Sequence, residues 1–538
     1  MATYFDSVFV DETELTEDMK RRSLRSEPIL KIVFEETDVM ERLLQLQSDK
    51  SQGPDEIHPM VLKNCAESVC KPVTAIFRRS MEDETLPNDW KKANVCPIFK
   101  KGKRNEPENY RPVSLTSVVC KVMESIIKRQ MVEYLTSNAF FEGCQHGFVK
   151  GRSTLTNLLE TFEAWTRILD EGFGVDVAYL DYRKAFDTVP HRRLLVKLDR
   201  LGIQGKLLGW IGSFLQNRTM RVVVRNDVSG WIVVKSGVPQ GSVLGPLLYL
   251  GFVKDLPDWI LNGIKMFADD TKLWARIKNM EDSLGLQKDL DTLARWTQDW
   301  LLSFNLDKCK IMSIGHAIDT VYTMSDGKKE VVLRKTEVEK DLGVYTSSNL
   351  KSSVQCKESV RKAQAVLGLI RRNFKRIDKE DFKTLYNSYI RPHLEYSIQA
   401  WSPSLKKDIQ SLERVQHRAT KMVKGLSKVP YEKRLKILGL STLEQRRLRG
   451  DLIETYKILT GKERINPEIF FTQAVTTGRL RGHHLKLFVP RCRTNVRKQF
   501  FSVRVVSQWN GLPATVVEAE SVNSFKNRLD EYWKDMGI

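Results

Sequence analysis

The run Ile264-Lys265-Met266-Phe267-Ala268-Asp269-Asp270-Thr271-Lys272-Leu273-Trp274 constrains this chain more than any other stretch. Its two halves read as short strands with two adjacent carboxylates between them, so the backbone has to bend at the acids. Asp tolerates tight bends, and an Asp pair at a hairpin is by itself ordinary turn chemistry. A third acid changes that reading. Asp181 ends another apolar run, Val177-Ala178-Tyr179-Leu180, which has the composition of a buried strand. Magnesium takes hard oxygen ligands, binding through one or two carboxylates and completing its shell with phosphates. Three carboxylates on neighbouring strand ends can hold two such ions for in-line phosphoryl transfer.

The 538 residues, 41% hydrophobic and 29% charged, suffice for about two to four structural units with real cores. No apolar run is long enough to span a bilayer. The opening Met1-Ala2-Thr3-Tyr4-Phe5-Asp6 lacks the basic-then-apolar order of a secretory signal. Eight scattered cysteines, none in a Cys-x-x-Cys pair, disfavour a zinc knuckle or a disulfide framework and fit reduced thiols in the nucleus or cytosol. The net charge of +20 is uneven: residues 351–538 hold 38 Lys and Arg against 18 Asp and Glu, which leaves residues 1–350 balanced. A single surface lysine says little, but as a block this excess favours a polyanion partner through counterion release, most plausibly nucleic acid.

Periodicity organises the rest. Residues 29–48 lead into an amphipathic helix, and 57–80 read as helical up to Leu86-Pro87. Val95–Phe99 is a short strand, 109–115 is extended, and helices are expected over 117–135 and 153–170. A hairpin is expected around Asn226-Asp227, and Gly237–Ser242 forms a turn capping a helix through about 253. Leu286, Leu290, Leu293, Trp296 and Trp300 fall at helical spacing and define a buried stripe, so the tryptophans read as core and not as base-stacking platforms. Strands return near 309–315 and 341–345, and the chain is helical and basic from about 355 to 460. In 484–535, Leu487–Val489 and Ser502–Val506 read as strands before a terminal helix. The fold class is α+β.

Several separated motifs then agree in order and spacing. Ala178–His191, Gly237–Leu248 and Phe267–Asp270 are similar to the reverse transcriptases of non-LTR (LINE-type) retrotransposons, the jockey-like and chicken-repeat branches above all. Gly53-Pro54-Asp55, Asn109–Leu115 and Gln145-His146-Gly147-Phe148 match upstream, and Trp300–Asn305, Lys308-Cys309 and Lys340–Val344 match downstream.

The resemblance implies a right-hand polymerase of fingers, palm and thumb, with an antiparallel palm sheet and a basic, mostly helical C-terminal extension. It divides the chain into an N-terminal extension over 1–50, fingers and palm over 51–345, a thumb-like basic region over 346–460, and a tail of unassigned role over 461–538. It implies two Mg2+ ions, with Mn2+ a possible substitute, held by Asp181 and Asp269 with Asp270 in support. A primer 3′-hydroxyl is expected to attack the α-phosphate of a deoxynucleoside triphosphate. Phe186 is expected to exclude a 2′-hydroxyl, Gln240 and Gly241 to border the nucleotide, and Arg111, assisted by Lys100, to meet the triphosphate. Lys308 is placed to protonate pyrophosphate, and Leu342-Gly343 to grip the primer. The implied partners are an RNA template and a DNA primer or target, with no membrane. The nucleus is the expected place of action, with assembly on RNA in the cytoplasm.

Some positions depart from the family pattern. Gly251 stands where a bulky apolar residue is usual, Lys254 where Asn is usual, and Val149 where a basic or polar residue is common. Glycine inside a helix costs about 1 kcal/mol against Ala. No endonuclease fits before residue 51, so a truncated reading frame is expected, and a catalytically inactive relic that only binds nucleic acid is the alternative reading. An RNA-dependent RNA polymerase is a third, disfavoured by Phe186, which leaves no room for a ribose hydroxyl.

Overall fold

The computed structural model describes residues 1–15, 27–141, 143–315, 318–474 and 482–535. Parts of the N-terminal extension (16–26) and of the tail (475–481) lie outside it.

The acids sit on a central sheet whose strand order is Arg334–Lys335, Lys310–Ile314, Gly174–Leu180, Asp270–Ile277, Gly263–Phe267. Its four longer strands are antiparallel to their neighbours, and the short edge strand Arg334–Lys335 runs parallel to Lys310–Ile314. Gly174–Leu180 lies in the middle with both faces covered, which is why it reads as an almost unbroken apolar run. Leu180 pairs with Thr271 and Phe267 with Asp270, so Asp181 leaves its strand level with the Asp269-Asp270 bend.

Two cores hold the sheet. On one face Ala178, Leu180, Leu273 and Ile311 join the stripe Leu286, Leu290, Leu293, Trp296 and Trp300 of the helix Met280–Trp300. On the other, Val175, Val177, Met312 and Ile314 join Leu158, Phe162 and Trp165 of the helix Thr154–Asp170, and this core continues into the C-terminal region as far as Trp509 and Phe525. Trp296 and Trp300 are buried as read, with the Lys197 ammonium 3.8 Å from the centre of the Trp300 ring.

A second sheet stands beside the first. Lys92–Phe99 pairs antiparallel with Tyr110–Leu115 and parallel with Arg218–Val224. The hairpin expected at Asn226-Asp227 closes through Val224 and Asp227, with Ile232–Val234 on the same strand. Phe5, from the short helix Ala2–Asp6, fills a small cluster with Ala93, Val95, Met220 and Val222 beneath this sheet.

The C-terminal third is helical, with Ser353–Asn373, Lys406–Thr420, Leu443–Leu459 and Val522–Asp535 as its long members. Three local expectations need correction. The strand expected over 341–345 is the turn of a hairpin, Val338–Asp341 against Val344–Ser347, with Leu342 and Gly343 at positive φ. Ser502–Val506 is helical, in Phe501–Arg504 and Val506–Asn510, because Phe501, Val505 and Trp509 recur four residues apart and are all buried. Leu487–Val489 keeps only one bridge, Leu487 to Gln473, and Phe488 and Val489 face solvent.

The unusual positions find places. Gly251 is buried against the Leu198 methyl of the helix His191–Arg200, so its lack of a side chain serves close helix packing. Lys254 lies over the Phe140 ring at 5.6 Å, and Val149 is buried. Among the described residues no helix is long and apolar enough to cross a membrane.

Candidate active site

Asp181 is pinned through its neighbours. Its carbonyl accepts from the Asn305 N–H at 2.7 Å, and the Arg183 N–H donates to Ser303 at 2.9 Å. Between them the Tyr182 ring stacks on Phe304 at 4.5 Å. The stretch Trp300–Asn305 therefore forms the rail along which the Asp181 segment runs. Lys308 leaves that rail and donates from Nζ to Asp181 Oδ2 at 3.0 Å.

Asp269 follows Ala268, whose φ of +56° lies in the left-handed region that L residues avoid. Burial pushes the Asp269 carboxyl above the usual carboxylate range, and nearby Asp181 pushes it the same way. Asp270 reaches solvent at its edge, yet protein around its carboxyl pushes it up to about 6, with Asp269, Asp341 and Asp181 adding to the shift.

These acids suit a divalent cation in kind. They are hard oxygens that repel one another, and an ammonium already stands against Asp181 where a cation is wanted. They are not drawn into a closed coordination group: among the described residues no three His, Cys, Asp or Glu side chains converge closely enough to hold a metal ion.

Asp181, Asp269 and Lys308 form one wall of a cavity of about 1140 Å³. Lys100 and Arg111, from the second sheet, form another wall. Partial burial and the charges of Arg111 and Lys308 lower the Lys100 pKa, so three cations compete for anionic company here. Phe186, Gln240 and Gly241 close the floor. Phe186 is half-buried, stacked on Tyr249 at 4.5 Å with Phe148 edge-on at 6.1 Å. Gln240 donates from Nε2 to Asp187 Oδ1 at 3.1 Å and accepts the Ser114 N–H at its carbonyl at 2.7 Å. Gly241 has φ +116°, and a Cβ there would strike the Ser114 carbonyl. Glu124, buried beneath, accepts the Val243 and Leu244 N–H groups ahead of the helix Gly245–Val253.

Nine of the eleven candidates divide between this cavity and its rim: eight line it, and Asp270 lies next to Asp269 just outside the lining. The other two, Leu342 and Gly343, belong elsewhere, on a hairpin whose Leu342 carbonyl accepts from Tyr396 Oη at 3.0 Å. Sequence reading gave no role to Tyr4, Phe148 or Asp187, which also line the cavity. Burial pushes the Asp187 carboxyl up to about 6. Phe148 and Asp187 had a signal, their places in the Gln145–Phe148 and Ala178–His191 motifs.

Residues 98–361, which include all three acids and both sheets' cavity-facing strands, match the family described as reverse transcriptase (RNA-dependent DNA polymerase). The chain is also 28% identical over 443 residues to the probable RNA-directed DNA polymerase from transposon BS of Drosophila melanogaster, covering 80% of this chain and 48% of that protein. The corresponding protein from the X-element of the same fly is 27% identical over 78% of this chain and 47% of its own length. The polymerase from its mobile element jockey is 25% identical over 74% and 44%.

The chain carries a reverse transcriptase domain, similar to those of the jockey-type transposon polymerases.

It spans about half the length of the curated relatives it matches. The basic helices beyond residue 361 lie outside the family match and yet share a core with the central sheet.

Proposed function

We propose that the chain extends a DNA 3′-hydroxyl on an RNA template with deoxynucleoside triphosphates, acting on nuclear DNA. In this reading the second sheet belongs to the fingers, the central sheet is the palm, and the helices of 346–460 form the thumb. The observation that carries it is the single cavity shared by Asp181, Asp269, Phe186, Gln240, Arg111, Lys100 and Lys308.

Each residue has work suited to its chemistry. Arg111 and Lys100 hold the triphosphate by charge, Arg111 through its planar fork of donors. Phe186, backed by Tyr249, presents a rigid edge where a 2′-hydroxyl would lie. Gln240, fixed by Asp187, meets the base pair from below. Asp181 and Asp269, with Asp270 behind them, would hold two magnesium ions, which supply a lowered hydroxyl pKa and charge neutralisation at the leaving pyrophosphate. Lys308, paired with Asp181 and lining the same cavity, would be the group to protonate the leaving pyrophosphate. The presence of all three acids, Phe186 and Gln240 supports a working enzyme over a relic.

The test is primer extension on an RNA template with Mg2+ and deoxynucleotides. Wild type should extend, and Asp269→Asn should lose synthesis by about a thousandfold while binding RNA within about twofold. Full synthesis by the variant refutes the metal assignment. Failure of both proteins with salt-sensitive RNA binding intact would favour the relic.

A further inference from the structure

The bend that carries Asp269 is not self-supporting. Ala268 sits in the left-handed region, and both of its backbone groups are engaged by one side chain 123 residues away. Gln145 Oε1 accepts the Ala268 N–H at 2.8 Å and the Gly147 N–H at 2.7 Å, while Gln145 Nε2 donates to the Ala268 carbonyl at 3.3 Å. A side chain with one acceptor for two converging N–H groups, plus a donor, has to be an amide. Ionised Glu lacks the donor, Met offers no donor and only a weakly accepting sulfur, and Asn is a methylene short.

The brace is itself anchored. The segment before it runs parallel to the edge strand Gly263–Phe267, with His146 N–H donating to Met266 at 2.9 Å and Met266 N–H to Cys144 at 3.0 Å. Gly147 has no room for a Cβ, because the Ala268 nitrogen and the Phe267 carbonyl carbon press on it. Behind it His146 is fully buried between Thr156, at 2.9 Å, and Glu160, and Glu160 also pairs with Lys265 of the edge strand. Nothing in this arrangement depends on solvent, and its outcome is the conformation of one residue next to the acid.

We propose that Gln145 is a positioning residue for nucleotidyl transfer: its amide holds Ala268 left-handed and so fixes where the Asp269 carboxylate stands. The catalytic consequence rests on the polymerase reading above, whereas the bracing of the bend does not.

The test is a double-variant cycle in the full chain, Gln145→Met with Ala268→Gly, read by amide exchange of the 263–274 peptide, by Mn2+ affinity from electron paramagnetic resonance, and by primer extension. Gln145→Met should speed exchange at the bend and weaken Mn2+ binding, each by about tenfold, the cost of leaving an L residue unsupported in that region. It should lower kcat by about tenfold with KM for nucleotide nearly unchanged. Glycine adopts positive φ freely, so in the Ala268→Gly background the same change should cost well under half as much. A plain packing role for Gln145 predicts equal costs in both backgrounds, and that result overturns the proposal, as does wild-type exchange and Mn2+ affinity in Gln145→Met. If Gln145→Met fails to fold, Gln145→Glu, which keeps the acceptor, should show exchange nearer wild type, and exchange as fast as in an unbraced bend counts against the idea. Loosened exchange and weakened Mn2+ binding in the variant, with no extension by wild type, would uphold the brace while the polymerase reading fails.

Discussion

Glu163 offers the sharpest test of how the C-terminal tail is joined to the central sheet. It lies on the helix Thr154–Asp170 with its side chain 1% exposed, and accepts from Arg497 Nη2 at 2.6 Å, Arg167 Nε at 2.6 Å and Ser502 Oγ at 2.5 Å. Arg167 is half in solvent and can hydrate, but the Arg497 side chain is only 7% exposed. Replacing Glu163 by Ala leaves that guanidinium with Thr166 Oγ1 at 3.1 Å, the Phe500 ring at 6.0 Å and the more distant charge of Asp170. Breaking one partner of a buried pair typically costs about 3–5 kcal/mol, while replacing both with apolar residues of similar volume is often neutral. Glu163→Ala should therefore destabilise the docking of 494–510 by about 3 kcal/mol, and Glu163→Leu with Arg497→Met should recover most of it. A chain of this size is not expected to unfold in two states, so the assay is local amide exchange over 494–510 with limited proteolysis alongside. Unchanged exchange in Glu163→Ala, or a double variant as damaged as the sum of its singles, would refute the reasoning.

Other expectations follow from single environments. Lys197 is buried in a box of Phe252, Trp296 and Trp300, paired with Asp255 at 2.6 Å, and burial pushes its pKa down to about 8. Lys197→Met takes the buried donor from Asp255 and the Phe252 carbonyl and should cost about 3 kcal/mol of thermal stability, and unchanged stability would show that the cation is not needed. Burial holds His146 down to about 4, and Glu160 is held at about 2 because His146 and Lys265 outweigh its own burial. Both lie below their unfolded values, so the unfolded chain takes up protons first, and stability present at neutral pH is lost as pH falls from about 6.5 to 4 for the imidazole and then from about 4.3 to 2 for the carboxylate. The imidazole step is worth about 3 kcal/mol; His146→Gln should flatten the pH dependence of melting in that window, and an unaltered slope would remove the assignment. Phe186→Val should raise ribonucleotide incorporation on the order of tenfold in single-nucleotide extension, and unchanged discrimination would return Phe186 to a packing role against Tyr249.

The acids and their strands were legible because a buried central strand and a two-strand bend leave local marks: an apolar run, an alternation, and charged residues where neither belongs. The stripe Leu286–Trp300 was legible for the same reason, since its partner is simply whatever is apolar. Ser502–Val506 misled because β-branched side chains signal strands only when nothing else decides, and here Phe501, Val505 and Trp509 reach one core together. The strand placed over 341–345 failed at a boundary, where a left-handed Leu342 leaves no compositional trace. The rest of the site was illegible for a different reason. Tyr4 reaches the cavity because Phe5 is buried beneath the second sheet, and Gln145 reaches Ala268 across a register that no window of sequence contains. Gly251 read as a defect and proved to be space for Leu198, because helix proximity is invisible in either helix alone.

The second core has a consequence for how the protein comes into being. The outer side of the helix behind Val175 and Val177 is covered by residues such as Arg497, Ser502 and Trp509, which leave the ribosome more than three hundred residues after the strand ending at Leu180. Until then the helix that backs the second face of the sheet has its own outer side bare. A message shortened at its 3′ end would thus yield a chain with every acid in place and the helix behind them stripped of its outer cover. Intactness of the far end of the reading frame bears, in this architecture, on how firmly the acid-bearing sheet near its middle is held.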